Sequence, residues 1–574
     1  MPYVSQCQAD PGETRRPNLF LLLAAAGLLA VRIGFGLTLP GPWYLPDEVK
    51  YLKHACMIVS SGEVFYQPAE GGVQPGWPVL LSPFVALMGG EPYPSYLAGI
   101  ILSSLLGSAV VFPVYALARH WLPRTQSAVT ALLAGVMPGG CLYGWTLLTE
   151  PLYTLLVACC AAWFVRAALA GRGRDFAAAG LFAALAYWVR PFGASCVLAC
   201  VVGVATWGTI HKRWREPLYA ILAAGLVLVG GLAWKFAAHP GQTTFTNYPH
   251  EAASLGGWVA LLLTPAKWGE LALAPVRVLD YLLVASFGIF VPLSLIGAAS
   301  AIRQFGALSA RTKPLVVGVL VLFACTFAVN ALAEMSKSGL ERMYGRYAEP
   351  LLPLILVIGA VTWHHVGNRR QTKRNTLILA MVLVVALALT LPQGLISFSN
   401  NPGFFYWNLI CRHAGTLIGV ALLPGITALF LFIKPDRWWL RALMLFALAC
   451  SSTALVALHV HQYGYHTKRV RDSAHRAAEA VRSVKQSNSS HPVLWVDPHL
   501  LVGQPEVSAQ QQCFAWLVRY GLPTVDVRWA REDEVATEGD FILTGAYAPD
   551  MPCLWREHEF SIYRITRQKG NPTP

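Results

Sequence analysis

Charge is scarce in this chain of 574 residues. Only 13% of the residues are Asp, Glu, Lys or Arg, while 55% are hydrophobic; soluble proteins carry about 25% charged residues. The mean hydropathy is +0.48. This balance excludes a disordered chain and argues against a water-soluble globule. Gly and Pro number 49 and 38, too few and too scattered for a collagen-like or low-complexity protein.

Several catalytic and structural motifs are also missing. The twelve cysteines contain no CxxC pair, which argues against a zinc ribbon and against a disulfide-stapled scaffold. The sequence has no GxxxxGK[ST], HExxH or GxSxG, which excludes a P-loop motor, this type of metalloprotease and a hydrolase elbow. Most cysteines are expected to be small core residues of membrane helices.

Long apolar runs dominate what is present. A membrane-spanning helix needs about 20 mainly apolar residues, and the sequence predicts about thirteen such helices. They lie near Asn18–Leu37, Ser95–Ala118, Gln126–Tyr143, Leu152–Ala170, Phe176–Val189, Phe192–Ile210, Leu218–Ala237, Tyr281–Ile302, Leu315–Ala333, Pro350–His365, Thr376–Leu391, Ala414–Ile433 and Leu440–Leu458.

Basic residues fall in every second loop between these spans. The formal net charge of +14 would suggest nucleic acid on a soluble protein, but cytoplasmic loops of membrane proteins concentrate Lys and Arg. The alternation therefore predicts a cytoplasmic N-terminus, an outer C-terminus and no nucleic-acid partner. The loops concerned hold Arg15, Arg16, Arg119, Arg124, Arg166, Arg172, Arg174, Lys212, Arg213, Arg215, Arg303, Arg311, Lys313, Arg369, Arg370, Lys373, Arg374, Lys434, Arg437 and Arg441.

Two regions are predicted to lie outside the membrane core. We expect residues 1–458 to form a transmembrane domain whose first outer loop, 38–94, contains interfacial helices such as Trp77–Met88, which is too short to span. We expect residues 459–574 to form a small extracytoplasmic α/β domain. Cys513 and Cys553 would meet an oxidising space there, and a disulfide or two free thiols are both compatible with the sequence.

The segment 459–574 mixes short β-type runs with amphipathic helical patterns. Strands are predicted at Val493–Val496, Thr524–Val527, Phe541–Leu543 and Phe560–Ile565, and helices at Val470–Val484 and Ser508–Arg519.

The first outer loop carries Pro46-Asp47-Glu48, followed by more polar residues at helical spacing. Asp47, Lys50, Tyr51 and His54 follow i, i+3, i+4, i+7 spacing and share one face of a helix. Glu48 points about 100° away. Two interpretations stay open: a solvated interfacial helix whose acids support its N-terminus, or a working face beside the membrane.

Further polar residues lie at the outer ends of the spans. Arg32 is in the outer half of the first span, where it either snorkels to the interface or points inward. Glu150 opens the fourth span, and Arg190 links the fifth and sixth spans on the outside. The outer loop 334–350 is rich in both charge signs, so it is either a solvated hairpin with ion pairs or an anion clamp. Its candidate binding residues are Arg342, Arg346 and Tyr347.

Taken in order, these motifs resemble the GT-C superfamily of polytopic glycosyltransferases, which includes protein O-mannosyltransferases and lipid A aminoarabinose transferases. Pro46-Asp47-Glu48 resembles the acidic pair of the family's first outer loop, and Arg32 resembles an Arg late in its first span. The further landmarks are Gln74–Pro83, Thr149-Glu150-Pro151-Leu152-Tyr153, Arg190-Pro191 and Gly345–Pro353. The resemblance runs from Arg32 to about Pro353 and extends to the whole chain in architecture.

This resemblance implies a polyprenyl-phosphate sugar donor in the membrane and a glycan, lipid or protein acceptor. An acceptor hydroxyl then needs a carboxylate base, for which we predict Asp47, with Glu48 positioning acceptor or loop. A single displacement would invert the anomeric centre. The leaving phosphate needs cations or a metal; a divalent ion is allowed, although no ligand set compels it. The predicted substrate- and phosphate-binding residues are Arg32, Lys50, Tyr51, His54, Glu150, Arg190, Arg342, Arg346 and Tyr347.

Two other functions stay open from the sequence. A lipid-linked glycan flippase or transporter would place acids or broken helices at mid-membrane, whereas the charges here cluster at outer ends. An O-antigen-type polysaccharide polymerase would share the membrane and the substrate class but would take an oligosaccharide donor. The location predicted in each case is a bacterial inner membrane, with the C-terminal domain outside.

Overall fold

The fold is described from a computed structural model. It describes residues 19–39, 45–65, 73–238, 263–335, 345–366, 369–390, 411, 416–433, 437–485 and the strand segments 493–496, 526–529, 541–544, 553–557 and 560–564.

Helices make up most of these described residues. In chain order they are α1 Leu19–Gly36, α2 Leu45–Ser61, α3 Gly76–Leu87, α4 Pro92–Ala109, α5 Val111–Ala118, α6 Arg124–Val136, α7 Pro138–Gly144, α8 Glu150–Ala170, α9 Gly173–Val189, α10 Ala194–His211, α11 Arg215–Ala238, α12 Trp268–Ala285, α13 Phe290–Arg303, α14 Lys313–Met335, α15 Leu352–Val366, α16 Arg370–Thr390, α17 Thr416–Phe432 and α18 Trp438–Lys485.

The chain is a polytopic helical membrane protein, but the count of spans is lower than the sequence predicts. Within the described residues, seven helices are long and apolar enough to cross a membrane, or up to nine if two bent pairs each count as one span. All thirteen predicted stretches contain helix. Four of them fall short of a full apolar span: Phe176–Val189, Pro350–His365, Thr376–Leu391 and Ala414–Ile433.

The predicted span Tyr281–Ile302 is interrupted by a sharp bend. The chain bends there by 120° between α12 and α13. Phe287 and Gly288 adopt positive φ angles of 59° and 76°, and the Gly288 amide donates to the Leu283 carbonyl at 2.8 Å. Left-handed residues that close this type of bond end a helix, so α12 stops after Ala285 and the chain turns back.

Close helix packing depends on small residues. At Gly180 in α9, an added Cβ would lie 2.8 Å from the Ala220 carbonyl carbon of α11, so the two backbones touch where the side chain is absent. Trp77 of α3 is fully buried, and its indole nitrogen donates to the Leu147 carbonyl at 3.3 Å. The buried residues of α8, α9 and α10 form the centre of the helical core.

Five short strands lie in the C-terminal region: β1 Val493–Val496, β2 Asp526–Trp529, β3 Phe541–Thr544, β4 Cys553–Glu557 and β5 Phe560–Arg564. Their order is β2-β1-β3-β5-β4. β1 pairs in parallel with β2 and β3, whereas β5 pairs antiparallel with β3 and β4. Four of the strands overlap the predicted apolar runs, although β2 lies two residues further along the chain than the predicted Thr524–Val527, and β4 is additional. The predicted helix Ser508–Arg519 and Cys513 lie outside the described residues.

The described chain divides into two compact units. The first comprises Met1–Gly34, Gln67–Trp77 and Ser103–Leu458, and the second comprises Phe35–Tyr66, Pro78–Leu102 and His459–Pro574. The predicted helix Val470–Val484 is the end of α18, which continues from its apolar beginning as one helix of 48 residues.

Candidate active site

The predicted residues Asp47, Glu48, Lys50, Tyr51 and His54 all lie on α2, in the second unit. Both acids stand in the first turn of the helix, where a helix N-terminus favours negative charge. Asp47 and Lys50 are half-buried, and the other three residues are buried. A freely solvated face is therefore wrong for Tyr51 and His54.

Buried groups on α2 have partners within the same unit. Glu48 is 1% exposed, and the Tyr96 hydroxyl donates to its Oε1 at 3.4 Å. His54 Nε2 lies 2.8 Å from the Val64 carbonyl oxygen. Burial lowers the pKa of His54 from 6.5 to about 4, although the Val64 hydrogen bond opposes the shift. The imidazole is therefore neutral near pH 7, so it is a hydrogen-bonding group there rather than a cation.

A second group of predicted residues meets in the first unit, around the carboxylate of Glu150. Arg190 Nη1 lies 2.6 Å from Glu150 Oε1, and the Arg346 Nε lies 3.7 Å from the same oxygen. The side chains are 4%, 10% and 2% exposed for Arg190, Arg346 and Glu150. Buried charges are tolerated only when they are paired. Sequence reasoning named all three residues singly, and the structure brings them together.

Local structure explains how the three residues reach one point. Glu150 opens α8, with Pro151 at the second position of the helix, where a missing amide hydrogen has no cost. Arg190 is the extended residue that ends α9, and Arg346 lies in a 3₁₀ turn, Gly345–Tyr347. Helix ends and tight turns thus supply all three side chains.

Aromatic rings cover the two arginines. The guanidinium carbons of Arg190 and Arg346 lie 4.9 and 5.3 Å from the ring centre of Tyr347. Phe192 stacks on the same ring with centroids 4.6 Å apart. Rings at this distance attract a cation and fix its plane. Tyr347 was predicted as a binding residue, whereas Phe192 was not.

Arg32 reaches into the interior from α1 and is 1% exposed. Its Nη2 donates to the Gly135 carbonyl oxygen at 2.6 Å, while Nε and Nη1 have no hydrogen-bond partner among the described residues. An added Cβ at Gly107 would overlap Nη1, and one at Gly144 would lie 3.5 Å from Nε. Arg32 therefore points inward, as one of the two sequence interpretations holds, through space that glycines leave open.

Arg32 and Glu150 line one small cavity. Its volume is about 30 Å³, enough for about two water molecules. Tyr143 and Glu349 line it as well. The cavity therefore brings an arginine and two carboxyl groups together within a largely apolar lining.

Sequence reasoning missed Glu349 and its partner Tyr281. Glu349 is 6% exposed, and the Tyr281 hydroxyl donates to its Oε1. The pKa of Glu349 is raised from 4.5 to about 7, mainly because the group is buried; the Tyr281 hydrogen bond opposes this rise and the charge of Glu150 adds to it. The position of Glu349, three residues after Arg346, was the available signal. No sequence pattern marks Tyr281.

Two further predictions concern Arg342 as a binding residue and a divalent metal ion. Arg342 lies outside the described residues. Within the residues that are described, no group of three or more His, Cys, Asp or Glu side chains could hold a metal ion.

The chain is similar to one protein family and to solved structures. Residues 75–234 match the family described as dolichyl-phosphate-mannose-protein mannosyltransferase. The fold is similar to the crystal structure of ArnT from Cupriavidus metallidurans bound to undecaprenyl phosphate, with 13% identity, a TM-score of 0.52, and coverage of 98% of this chain and 100% of that chain. The apo ArnT structure matches with 14% identity, a TM-score of 0.50, and coverage of 95% and 97%.

The comparison with curated proteins found no match. At 13% and 14% identity the structural likeness establishes the fold alone. The matched family segment begins at the predicted Pro-rich landmark and includes Glu150 and Arg190. The chain thus resembles the GT-C superfamily of polytopic membrane glycosyltransferases, both in its fold and in the family segment it carries.

Proposed function

We propose that this protein is a membrane glycosyltransferase that moves a sugar from a polyprenyl-phosphate donor to an acceptor hydroxyl. The observation that carries the proposal is the buried cluster in which Glu150 holds Arg190 and Arg346 under Tyr347. Arginine binds phosphate oxygens through several donors at once. The similar ArnT structure contains undecaprenyl phosphate, which is a ligand of the proposed donor class.

The chemistry assigns separate roles to the two groups of residues. Asp47 is the proposed general base that takes the proton of the acceptor hydroxyl, and Glu48 positions the acceptor or the loop. The hydroxyl attacks the anomeric carbon, the bond to the phosphate oxygen breaks, and the lipid phosphate leaves with one more negative charge. A single displacement of this kind inverts the anomeric centre.

Cations stabilise the departing phosphate. Arg190 and Arg346 are the proposed phosphate-binding residues, joined by Arg32 from the cavity. Glu150 holds the two clustered arginines in place. The remaining proposed substrate-binding residues are Lys50, Tyr51, His54, Arg342 and Tyr347.

The proposed setting is a bacterial inner membrane. The basic loops support a cytoplasmic N-terminus, with the acidic motif and the arginine cluster on the outer side. We assign residues 1–458 to the transmembrane domain and residues 459–574 to an extracytoplasmic domain that contains the five-stranded sheet. The acceptor is a glycan, a lipid or a protein.

Replacement of one cluster arginine tests the proposal. Arg346→Gln removes a buried cation near Glu150, so we expect weaker binding of polyprenyl phosphate and slower transfer. Arg174→Gln is the matched control, because that side chain is 72% exposed and contacts Asp175 instead. Equal lipid binding by both variants and the wild type would contradict the phosphate-binding role. Lipid movement across vesicles without sugar transfer would favour a flippase.

A further inference from the structure

The carboxyl group of Glu349 belongs to a residue that is 6% exposed. Among the described residues, no Lys, Arg or His nitrogen lies within ion-pair distance of it, whereas Glu150 takes both cluster arginines. Its hydrogen bond comes from the neutral phenol of Tyr281. Two buried carboxyl groups of one cavity thus have different partners.

Glycine residues make room for this arrangement. An added Cβ at Gly139 would overlap the Glu349 carboxyl group and lie 2.7 Å from its Oε2. An added Cβ at Gly345 would overlap the Tyr281 ring. The Glu349 carboxyl group therefore packs directly against the backbone of Gly139, and the Tyr281 ring packs against that of Gly345. These contacts fix the positions of both groups.

The groups that face Glu349 come from several elements. Tyr281 approaches from α12 and Glu150 from the start of α8, while Arg32 and Tyr143 line the same cavity from α1 and α7. Arg190 and Arg346 pair with Glu150. Burial without a cation favours the protonated carboxyl, and the pKa of about 7 agrees with that environment.

We propose that Glu349 is a positioning residue that carries a proton while the donor binds, so that Glu150 holds Arg190 and Arg346 without a second ionised carboxyl group of this cavity beside it. This inference rests on the proposed function. Counting the described groups alone, with Glu349 neutral Arg32, Arg190 and Arg346 outnumber the one carboxylate, Glu150, by two charges. With Glu349 ionised the excess falls to one, and a second carboxylate competes for the arginines. The neutral form therefore favours a phosphate whose charge increases as the sugar leaves.

The test is the pH dependence of donor binding. The probe is polyprenyl phosphomannose in detergent micelles, because a phosphodiester keeps one charge around neutral pH. For the wild type we expect affinity to fall on the order of tenfold as pH rises through the Glu349 pKa, since one charge is added at close range in a partly buried site. Glu349→Gln stays neutral, so it should keep the high affinity at every pH.

A pair of neighbouring glycines supplies the matched control. Gly139→Ala should displace the Glu349 carboxyl group toward solvent. The pH midpoint of donor binding should then move toward the ordinary pKa range of a glutamate. In Gly140→Ala the new Cβ would meet the Ala134 oxygen at 3.6 Å and Arg32 Nη2 at 3.7 Å, which are ordinary contacts. That variant should keep the wild-type midpoint.

An activity-independent readout accompanies the binding curves. The carbonyl band of a protonated carboxylic acid should disappear from the wild-type infrared spectrum with the same midpoint and be absent in Glu349→Gln. Donor binding with an unchanged pH midpoint in Glu349→Gln overturns the inference alone. Absence of donor binding and of transfer by the wild type at every pH overturns the proposed function and the inference with it.

Discussion

Replacing Glu150 and replacing Arg190 should reduce the stability of the protein by different amounts. Glu150→Gln leaves two buried arginines without their carboxylate, whereas Arg190→Gln leaves Glu150 with the Arg346 Nε at 3.7 Å. Breaking a buried pair by removing one partner costs about 3–5 kcal/mol. We therefore expect Glu150→Gln to lie at the upper end of that range and Arg190→Gln at the lower end, even though both lose the same 2.6 Å contact.

The assay is the unfolding half-life of purified protein in detergent at a fixed elevated temperature, since large membrane proteins unfold irreversibly and their operational stability is a rate. The expected order is wild type, then Arg190→Gln, then Glu150→Gln as the shortest-lived. The double variant should lose less than the sum of the two single losses, because the two residues are in contact. Equal half-lives for both single variants and the wild type would refute a structurally important cluster.

Two further predictions concern stability. The folded pKa of His54 is about 4, below its ordinary 6.5, so its contribution is complete above pH 6.5 and is lost as pH falls toward 4. Because a pKa unit is about 1.4 kcal/mol, the stability lost amounts to about 3 kcal/mol. The melting temperature of His54→Gln should therefore decline less than that of the wild type over the same pH interval. An identical decline in both proteins would contradict burial of His54 as the cause. Gly180→Ala should cost about 1–3 kcal/mol by overpacking against Ala220, whereas Gly225→Ala, with nothing within 4 Å, should be neutral or stabilising in the same melting assay; equal melting temperatures would contradict the close contact.

The helix that carries the acidic pair was predictable, because its signals are local. Pro46 followed by Asp47 and Glu48 is typical of a helix start, and α2 begins at Leu45. Its burial was not predictable, because burial depends on which elements pack against the helix. The same holds for His54, whose neutral state follows from that packing.

The arginine cluster was predictable residue by residue but not as a cluster. In the sequence, Arg190 lies between two predicted spans and Arg346 lies in the loop 334–350, yet only the fold brings both to Glu150. Glu349 was missed because a carboxyl group in a charged loop looks solvated, and its burial depends on Gly139 and Tyr281, which are distant in sequence.

The break between α12 and α13 could not be predicted from hydropathy. An uninterrupted apolar run predicts a single span, but Phe287 in the left-handed region ends the helix. A bulky residue rarely adopts that conformation, so only tertiary packing selects it. The next residue, Gly288, is of a type that adopts positive φ readily, and it is the part of this turn that the sequence signals.

Sugar transfer by the purified protein distinguishes a glycosyltransferase that uses Asp47 as its base from a protein that only binds the lipid. Wild type and Asp47→Asn would be placed in liposomes with radiolabelled polyprenyl-phosphate sugars and a membrane extract as acceptor. We expect wild type to remove label from the lipid, whereas Asp47→Asn should bind the donor but transfer at least about a hundredfold more slowly, as expected for loss of a general base. Undiminished transfer by Asp47→Asn would contradict its role, and donor binding without transfer by the wild type would contradict the proposed activity.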